Sequence, residues 1–235
     1  VGYNCGNIRN SFNSADIYNS NSSAGGICCQ NEGTIDDCVN RGTIDASYIG
    51  GISYSGYLSG SIYNSTNFGD LHNGYRIAGI CFGTAINIEN CINYGDIEGI
   101  HFYETATVLT GIGDANKIYN CINYGNIQFE YLSYSSCYIS GIGNGSINKC
   151  INFGDLKLTT QTKGGDWGRE YGNIYGIQRG SNELSDSINY GTLQNNSTGN
   201  NMSTYILSDN YAYSSINMGL ITPMNGYLSS NSQVY

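Results

Sequence analysis

A parallel β-solenoid of about seven to eight rungs, all-β and built as one unit, is the fold class this sequence predicts. Three observations carry it. A seven-residue phrase, Cys/Ser-x-Asn-x-Gly-x-Ile/Leu, returns along the whole chain. Its copies fall at the period of stacked-repeat architectures. The apolar residues between copies form short Ile- and Tyr-rich runs broken by Gly and Asn, with no sustained 3.6-residue period, which favours strand over helix.

The phrase occurs seven times, at Cys38–Ile44, Ser65–Leu71, Cys91–Ile97, Cys121–Ile127, Cys150–Leu156, Ser187–Leu193 and Ser215–Ile221. A partial copy opens the chain as Asn4-Cys5-Gly6-Asn7-Ile8, and successive Asn positions are then 36, 27, 26, 30, 29, 37 and 28 residues apart. Upstream of each of the first six copies stands a Gly-Ile pair, at Gly26, Gly51, Gly79, Gly111, Gly141 and Gly176. Three residues before the Cys/Ser comes an aliphatic residue: Ile35, Ile62, Ile88, Ile118, Ile147 and Leu184. Three short strands per repeat follow. The solenoid is expected over 1–221, with a partial first rung at 1–8 and full repeats over 24–221. Residues 222–235, which hold the lone Pro223 and an Asn225-Gly226 turn signal, are expected to form a tail or small cap.

Facing follows from strand alternation. The Cys/Ser and Asn positions share one face, and the residues between them share the other. On the second face Arg41 occupies the column of Phe68, Tyr94, Tyr124, Phe153, Tyr190 and Met218. An unpaired Arg is almost never fully buried, so Cys and Asn are placed inward and the Ile and aromatic columns outward. The opposite facing remains open at this level, with Arg41 as an end-rung exception. In the preferred arrangement Asn93, Asn123 and Asn152 stack as an amide ladder, and Cys91, Cys121 and Cys150 fill the interior as small hydrophobes. The motif Gly is expected to turn the chain at positive φ.

Composition narrows the function classes. With 9 basic against 18 acidic residues, the net charge of −9 leaves no basic patch for nucleic acid. No apolar run reaches the length of a spanning helix, so membrane insertion is not expected. The chain starts at Val1, which fits a processed form or a piece of a longer protein. Nine Cys cannot all pair with one another; a bond from Cys5 to the Cys28/Cys29/Cys38 group is the candidate pairing. Neither metal-spaced Cys nor clustered His (His72 and His101 lie in different segments) suggests zinc, and no cofactor or enzymatic activity is expected.

The centre and finish of each repeat resemble the GLUG repeats of bacterial cell-surface proteins. Ile88-Glu89-Asn90-Cys91…Gly95-Asp96-Ile97 and Ile118-Tyr119-Asn120-Cys121…Gly125-Asn126-Ile127 carry the likeness, which covers about residues 24–221. Departures are the displaced or missing second Gly of the start, and Ser for Cys in three copies. The resemblance implies a right-handed solenoid on the outside of a cell, as a stalk or adhesin, with no catalytic residues to carry over.

Four features remain as candidate sites. The outward columns, with Ile92, Tyr94, Ile122, Tyr124, Ile151, Phe153, Ile188 and Tyr190, make an apolar strip suited to a second copy or a partner protein. The uneven segments 98–110, 128–140, 157–175 and 194–205 suit ligand loops. Trp167, Arg169 and Tyr171 in the third are candidates for carbohydrate or a host protein. Asp70 and Asp96, at the position after the motif Gly, are candidates for a hard cation, set against turn residues that bond their own backbone. The chain ends, where edge strands invite pairing, suit end-to-end stacking. The functional expectation is a non-catalytic extracellular structural protein that self-assembles end to end or laterally; the alternative is an adhesin module acting through its loops.

Overall fold

In the computed structural model the described residues are 2–56, 58–84, 86–100, 106–131, 136–160, 172–180, 182–197, 202–208, 212–222 and 227–229. They form a right-handed parallel β-solenoid. Every strand pairs with its equivalent one rung away, in register across the repeats: Ile92 lies opposite Ile122, Ile122 opposite Ile151, and Ile151 opposite Ile188.

Three stacks of strands make the walls. The first has ten strands and carries the aliphatic positions, from Asn7–Arg9 through Thr34–Asp36 and Asn87–Glu89 to Ala212–Tyr213. The second, the amide sheet, has eight two-residue strands from Phe12–Asn13 to Ile216–Asn217. The third has fourteen. Its strand Ile44–Gly50 is continuous, and it pairs with Leu71–Gly74 at one end and Arg76–Ala78 at the other. Later rungs split this strand in two. Thr107–Thr110, Cys137–Ser140, Gly172–Tyr175 and Met202–Tyr205 are therefore sheet, not loop, and the uneven segments expected from sequence are shorter than their windows by these strands.

Between the first and second stacks the chain turns at one left-handed residue, always the one before the Cys/Ser. Asn10, Asp37, Asn64, Asn90, Asn120, Lys149, Asp186 and Ser214 have φ between 48° and 56°. Asn and Asp tolerate this conformation best among residues with a side chain, and they fill six of the eight corners. The motif Gly is not the left-handed residue. Among the described residues positive φ occurs in Gly only at Gly56, Gly143, Gly145 and Gly180, and the reason for the motif Gly is contact. A Cβ on Gly95 would come closer than 3.0 Å to the Gly69 carbonyl oxygen of the preceding rung, and Gly69, Gly125, Gly154, Gly191 and Gly219 repeat the relation.

The Gly-Ile pair meets a different neighbour. A Cβ on Gly111 would collide with the Asn123 amide across the interior and with the Gly141 carbonyl of the following rung. Gly79 faces Asn93 and Gly111 in the same way, and Gly141 faces Asn152 and Gly176. This contact divides the core. On one side lie the Cys, the Gly-Ile isoleucines and the aliphatic column, including Ile80, Ile112, Ile88 and Ile118. On the other lie the closing Ile and Leu residues with Ile77, Leu109, Ile139 and Ile174. Burying these side chains, each worth roughly 1.5–3 kcal/mol, is the main drive for stacking, and the amide–glycine seam between them fixes the register.

One rung lies outside the repeated phrase. Ser11-Phe12-Asn13-Ser14-Ala15-Asp16-Ile17 pairs through Phe12 with Val39 and through Asn13 with Asn40. Its Ala in place of Gly conceals it. Asn4, the opening copy expected from sequence, instead pairs with Asn31 in a separate two-stranded ladder, where its amide donates to Asn31 Oδ1 at 2.7 Å.

Candidate functional site

Inside the amide sheet the Asn side chains run as one hydrogen-bonded chain. Each Nδ2 donates to the Oδ1 of the next: Asn13 to Asn40 at 2.9 Å, Asn40 to Asn67 at 2.8 Å, Asn67 to Asn93 at 2.8 Å and Asn93 to Asn123 at 2.9 Å. Asn123 continues to Asn152 at 2.8 Å, Asn152 to Asn189 at 2.7 Å and Asn189 to Asn217 at 2.6 Å. The other proton of each interior Nδ2 goes to the carbonyl two residues on, as from Asn123 to Gly125 at 2.8 Å. Asn93, Asn123 and Asn152 are fully buried, so these bonds satisfy groups whose burial would otherwise be costly.

Cys91, Cys121 and Cys150 are buried, but they are not merely apolar filler. Cys121 Sγ donates to the Tyr119 carbonyl at 3.2 Å and accepts from the Cys91 backbone N–H at 3.4 Å. Ser187 does the same through Oγ, donating to Ser185 O at 2.8 Å and accepting from Cys150 N–H at 3.1 Å. A thiol and a hydroxyl both donate and accept, which explains why the position alternates between Cys and Ser. Burial pushes the Cys121 and Cys150 thiols well up, and Cys81 up to about 12. All nine cysteines are free, so the Cys5 pairing expected from sequence is not formed; Cys5 is exposed, whereas Cys28 and Cys38 are buried.

The outer face of the same sheet is apolar. Val39, Thr66, Ile92, Ile122, Ile151, Ile188 and Ile216 stand in one half-buried column. Beside it Phe68, Tyr94, Tyr124, Phe153 and Tyr190 are each 40–43% exposed. Their rings stack in parallel, with centroids 4.9, 4.9, 5.0 and 4.9 Å apart and interplanar angles of 2–5°. Arg41 covers the first ring, with its guanidinium carbon 4.6 Å from the Phe68 centroid. Neighbouring rings therefore take up one another's faces, and what meets solvent is a row of ring edges. Such a column offers no open ring face within it for a sugar to stack on.

Around the corner the residues after the motif Gly form a second outward column. Asp70 Oδ1 accepts the Asp96 backbone N–H at 2.9 Å, and Asp96 Oδ1 accepts that of Asn126 at 2.7 Å. Asn126 Oδ1 accepts the Asp155 N–H at 3.0 Å, and Asp155 Oδ1 that of Thr192 at 2.7 Å. These are not the local turn bonds expected from sequence. The side chains reach the next rung instead, because the equivalent N–H one strand away points outward at this corner. With His72, Glu98 and Lys157 they line a polar groove of about 460 Å³. No group of three or more His, Cys, Asp or Glu suited to a metal ion occurs among the described residues. Asp70 and Asp96 are thus engaged as rung-to-rung connectors.

Trp167, Arg169 and Tyr171 lie outside the described residues. So do Pro223 and the Asn225-Gly226 signal. No helix among the described residues is long and apolar enough to cross a membrane.

Comparison with protein-family models, with curated proteins and with solved structures finds no match to this chain.

Proposed function

We propose that this chain is a non-catalytic structural module of the bacterial cell-surface kind, related to the GLUG repeats, which associates side by side through the outer face of its amide sheet. The observation that carries this reading is the apolar strip of the Ile column and the stacked aromatic column. Its side chains repeat once per rung, so the surface that matches it in period along its whole length is another copy of itself.

Size sets the strength of the contact. About six rung intervals at about 4.8 Å and two columns about 7 Å apart give a strip on the order of 200–300 Å². A stable pair needs about 800 Å² per partner. A single strip-to-strip contact is therefore weak, and association builds through many such contacts on a surface where the chains are held close together. Extracellular placement belongs to the same reading, through the likeness to surface repeats.

Sedimentation velocity and negative-stain imaging over a concentration series test it. The chain should form laterally paired or bundled rods as concentration rises, and the Ile122→Lys, Tyr124→Lys double variant should stay discrete. Discrete rods for both proteins up to millimolar concentration would rule the reading out.

A further inference from the structure

The polar groove around the corner from the amide sheet has hydrogen-bonding capacity that the fold leaves unused. One wall is the column Asp70, Asp96, Asn126 and Asp155. Each of these side chains commits Oδ1 to the backbone N–H of the next rung, at 2.7–3.0 Å. That bond fixes the rotamer. The second polar atom of each head, Oδ2 of the Asp residues and Nδ2 of Asn126, has no hydrogen bond among the described residues. The other wall lies two residues on along the same strands, hence on the same face about 7 Å away. It consists of His72, Glu98, Gln128, Lys157 and Gln194, paired in register rung by rung. The Gln128 and Gln194 amides also make no hydrogen bond among the described residues. Between the walls Ile97, Ile127 and Leu156 bury their side chains in the core, so the floor is backbone.

Shape and charge select the occupant. The groove follows the stack axis over five rungs, roughly 19 Å at about 4.8 Å per interval, and its volume of about 460 Å³ is that of a ligand pocket. Four carboxylates, Asp70, Asp96, Glu98 and Asp155, stand against Lys157 and His72, so a polyanion is repelled. A hard cation is not held either. It needs about six or more oxygens converging on one point, and the free oxygens of the Asp wall are spread out, one to a rung. An extended peptide repeats every two residues, about 6.6 Å, and falls out of step with rungs about 4.8 Å apart. What fits is a long uncharged polymer whose donors and acceptors recur about once per rung. A linear chain of equatorially linked pyranose rings has that repeat. Its hydroxyls both donate and accept, as the carboxylate and amide rows require.

We infer that this groove binds an uncharged, equatorially linked linear polysaccharide laid along the stack axis, about one sugar ring to a rung. Asp70, Asp96, Asn126 and Asp155 hold ring hydroxyls through the atoms that the rung-to-rung bonds leave free. Gln128 and Gln194 hold them from the opposite wall. The first wall is ordered before the ligand arrives, which lowers the entropic cost of binding. Each rung adds the same few modest bonds, so affinity grows with the length of the glycan. The groove and the apolar strip lie on either side of the motif corner, and glycan binding does not depend on whether the strip associates.

Calorimetric titration of the full chain with cello-, xylo-, manno- and N-acetylchito-hexaose tests it, with hexagalacturonate as the anionic control. At least one neutral hexaose should bind, its trimer at least about tenfold more weakly, and hexagalacturonate not at all. Gln128→Ala combined with Gln194→Ala removes two side chains that make no hydrogen bond among the described residues. That variant should keep the melting temperature and bind the same hexaose at least about tenfold more weakly. The Ile122→Lys, Tyr124→Lys variant should bind it as the unaltered chain does, which separates a failure of the groove from a failure of lateral association. Binding of none of the four neutral hexaoses overturns the assignment. So does equal affinity for trimer and hexamer, equal affinity for hexagalacturonate, or an affinity that the paired Gln substitutions leave unchanged.

Discussion

Removing one amide from the middle of the ladder should destabilise this protein more than any single surface change. Asn123→Ala takes away three buried hydrogen bonds: the one accepted from Asn93 at 2.9 Å, and those donated to Asn152 Oδ1 and the Gly125 carbonyl, both at 2.8 Å. The partners stay behind in a site with no solvent exposure. One N–H of Asn93, the Oδ1 of Asn152 and the carbonyl of Gly125 are each left without the bond Asn123 made. A stranded buried polar group costs about 1–3 kcal/mol, so the total is on the order of 3–6 kcal/mol allowing for partial relaxation. Asn217→Ala at the end of the chain loses the bond from Asn189 and one to Gly219, with no Asn partner beyond it among the described residues. It should cost roughly half as much. Urea denaturation followed by circular dichroism measures both, and hydrogen exchange locates the loss. Because repeat stacks can unfold in parts, amides of the Ile92–Asn152 rungs should lose protection first in the Asn123 variant. A cost under about 1 kcal/mol for Asn123→Ala, or one no larger than for Asn217→Ala, would refute the view that the ladder holds the register.

Four further outcomes follow from the same geometry. Cys121→Ser, which keeps a donor and an acceptor in the places used by Cys121 Sγ, should change stability by less than about 1 kcal/mol, while Cys121→Ala should cost about 1–2 kcal/mol, both by denaturant titration. Thiol labelling of the native protein at about pH 8 should reach Cys5 quickly and spare Cys81, Cys121 and Cys150, which are buried and whose thiols are held neutral. Cys81 rises on folding from 9.0 to about 12, so the unfolded thiol ionises first. Its contribution to stability is complete below about pH 9 and is lost as pH rises from there toward about 12, which a pH series of melting curves reads directly. Arg179→Ala should destabilise by about 1–3 kcal/mol, because Asp114, only 7% exposed and 3.2 Å from the guanidinium, keeps Asn144 as its remaining side-chain donor; Arg179→Ala combined with Asp114→Asn should recover part of that loss.

Much of the fold was legible because stacking writes the same demand at the same place in every rung. A buried amide bonds best to an identical amide one strand away, so Asn returns at Asn40, Asn67, Asn93, Asn123, Asn152, Asn189 and Asn217, and its interior placement follows from a single outward Arg41. The left-handed corner is also written in the chain, since Asn or Asp precedes the Cys/Ser position in six of eight copies, but the more regular motif Gly masks it. The first rung escapes for a related reason: Ala15 breaks the phrase.

What the sequence by itself determined is the period, the strand class and the identity of the stacked columns, because these are properties each repeat shares with its neighbours. Only the tertiary structure decided which neighbour each position meets. Glycine at Gly95 and glycine at Gly111 look alike in the chain, yet one avoids the rung behind and the other the rung ahead. Asp96 looks like a turn residue, yet it bonds the next rung. Such contacts join residues 26–37 positions apart, and their direction is set by the path of the coil, which no stretch of local sequence contains.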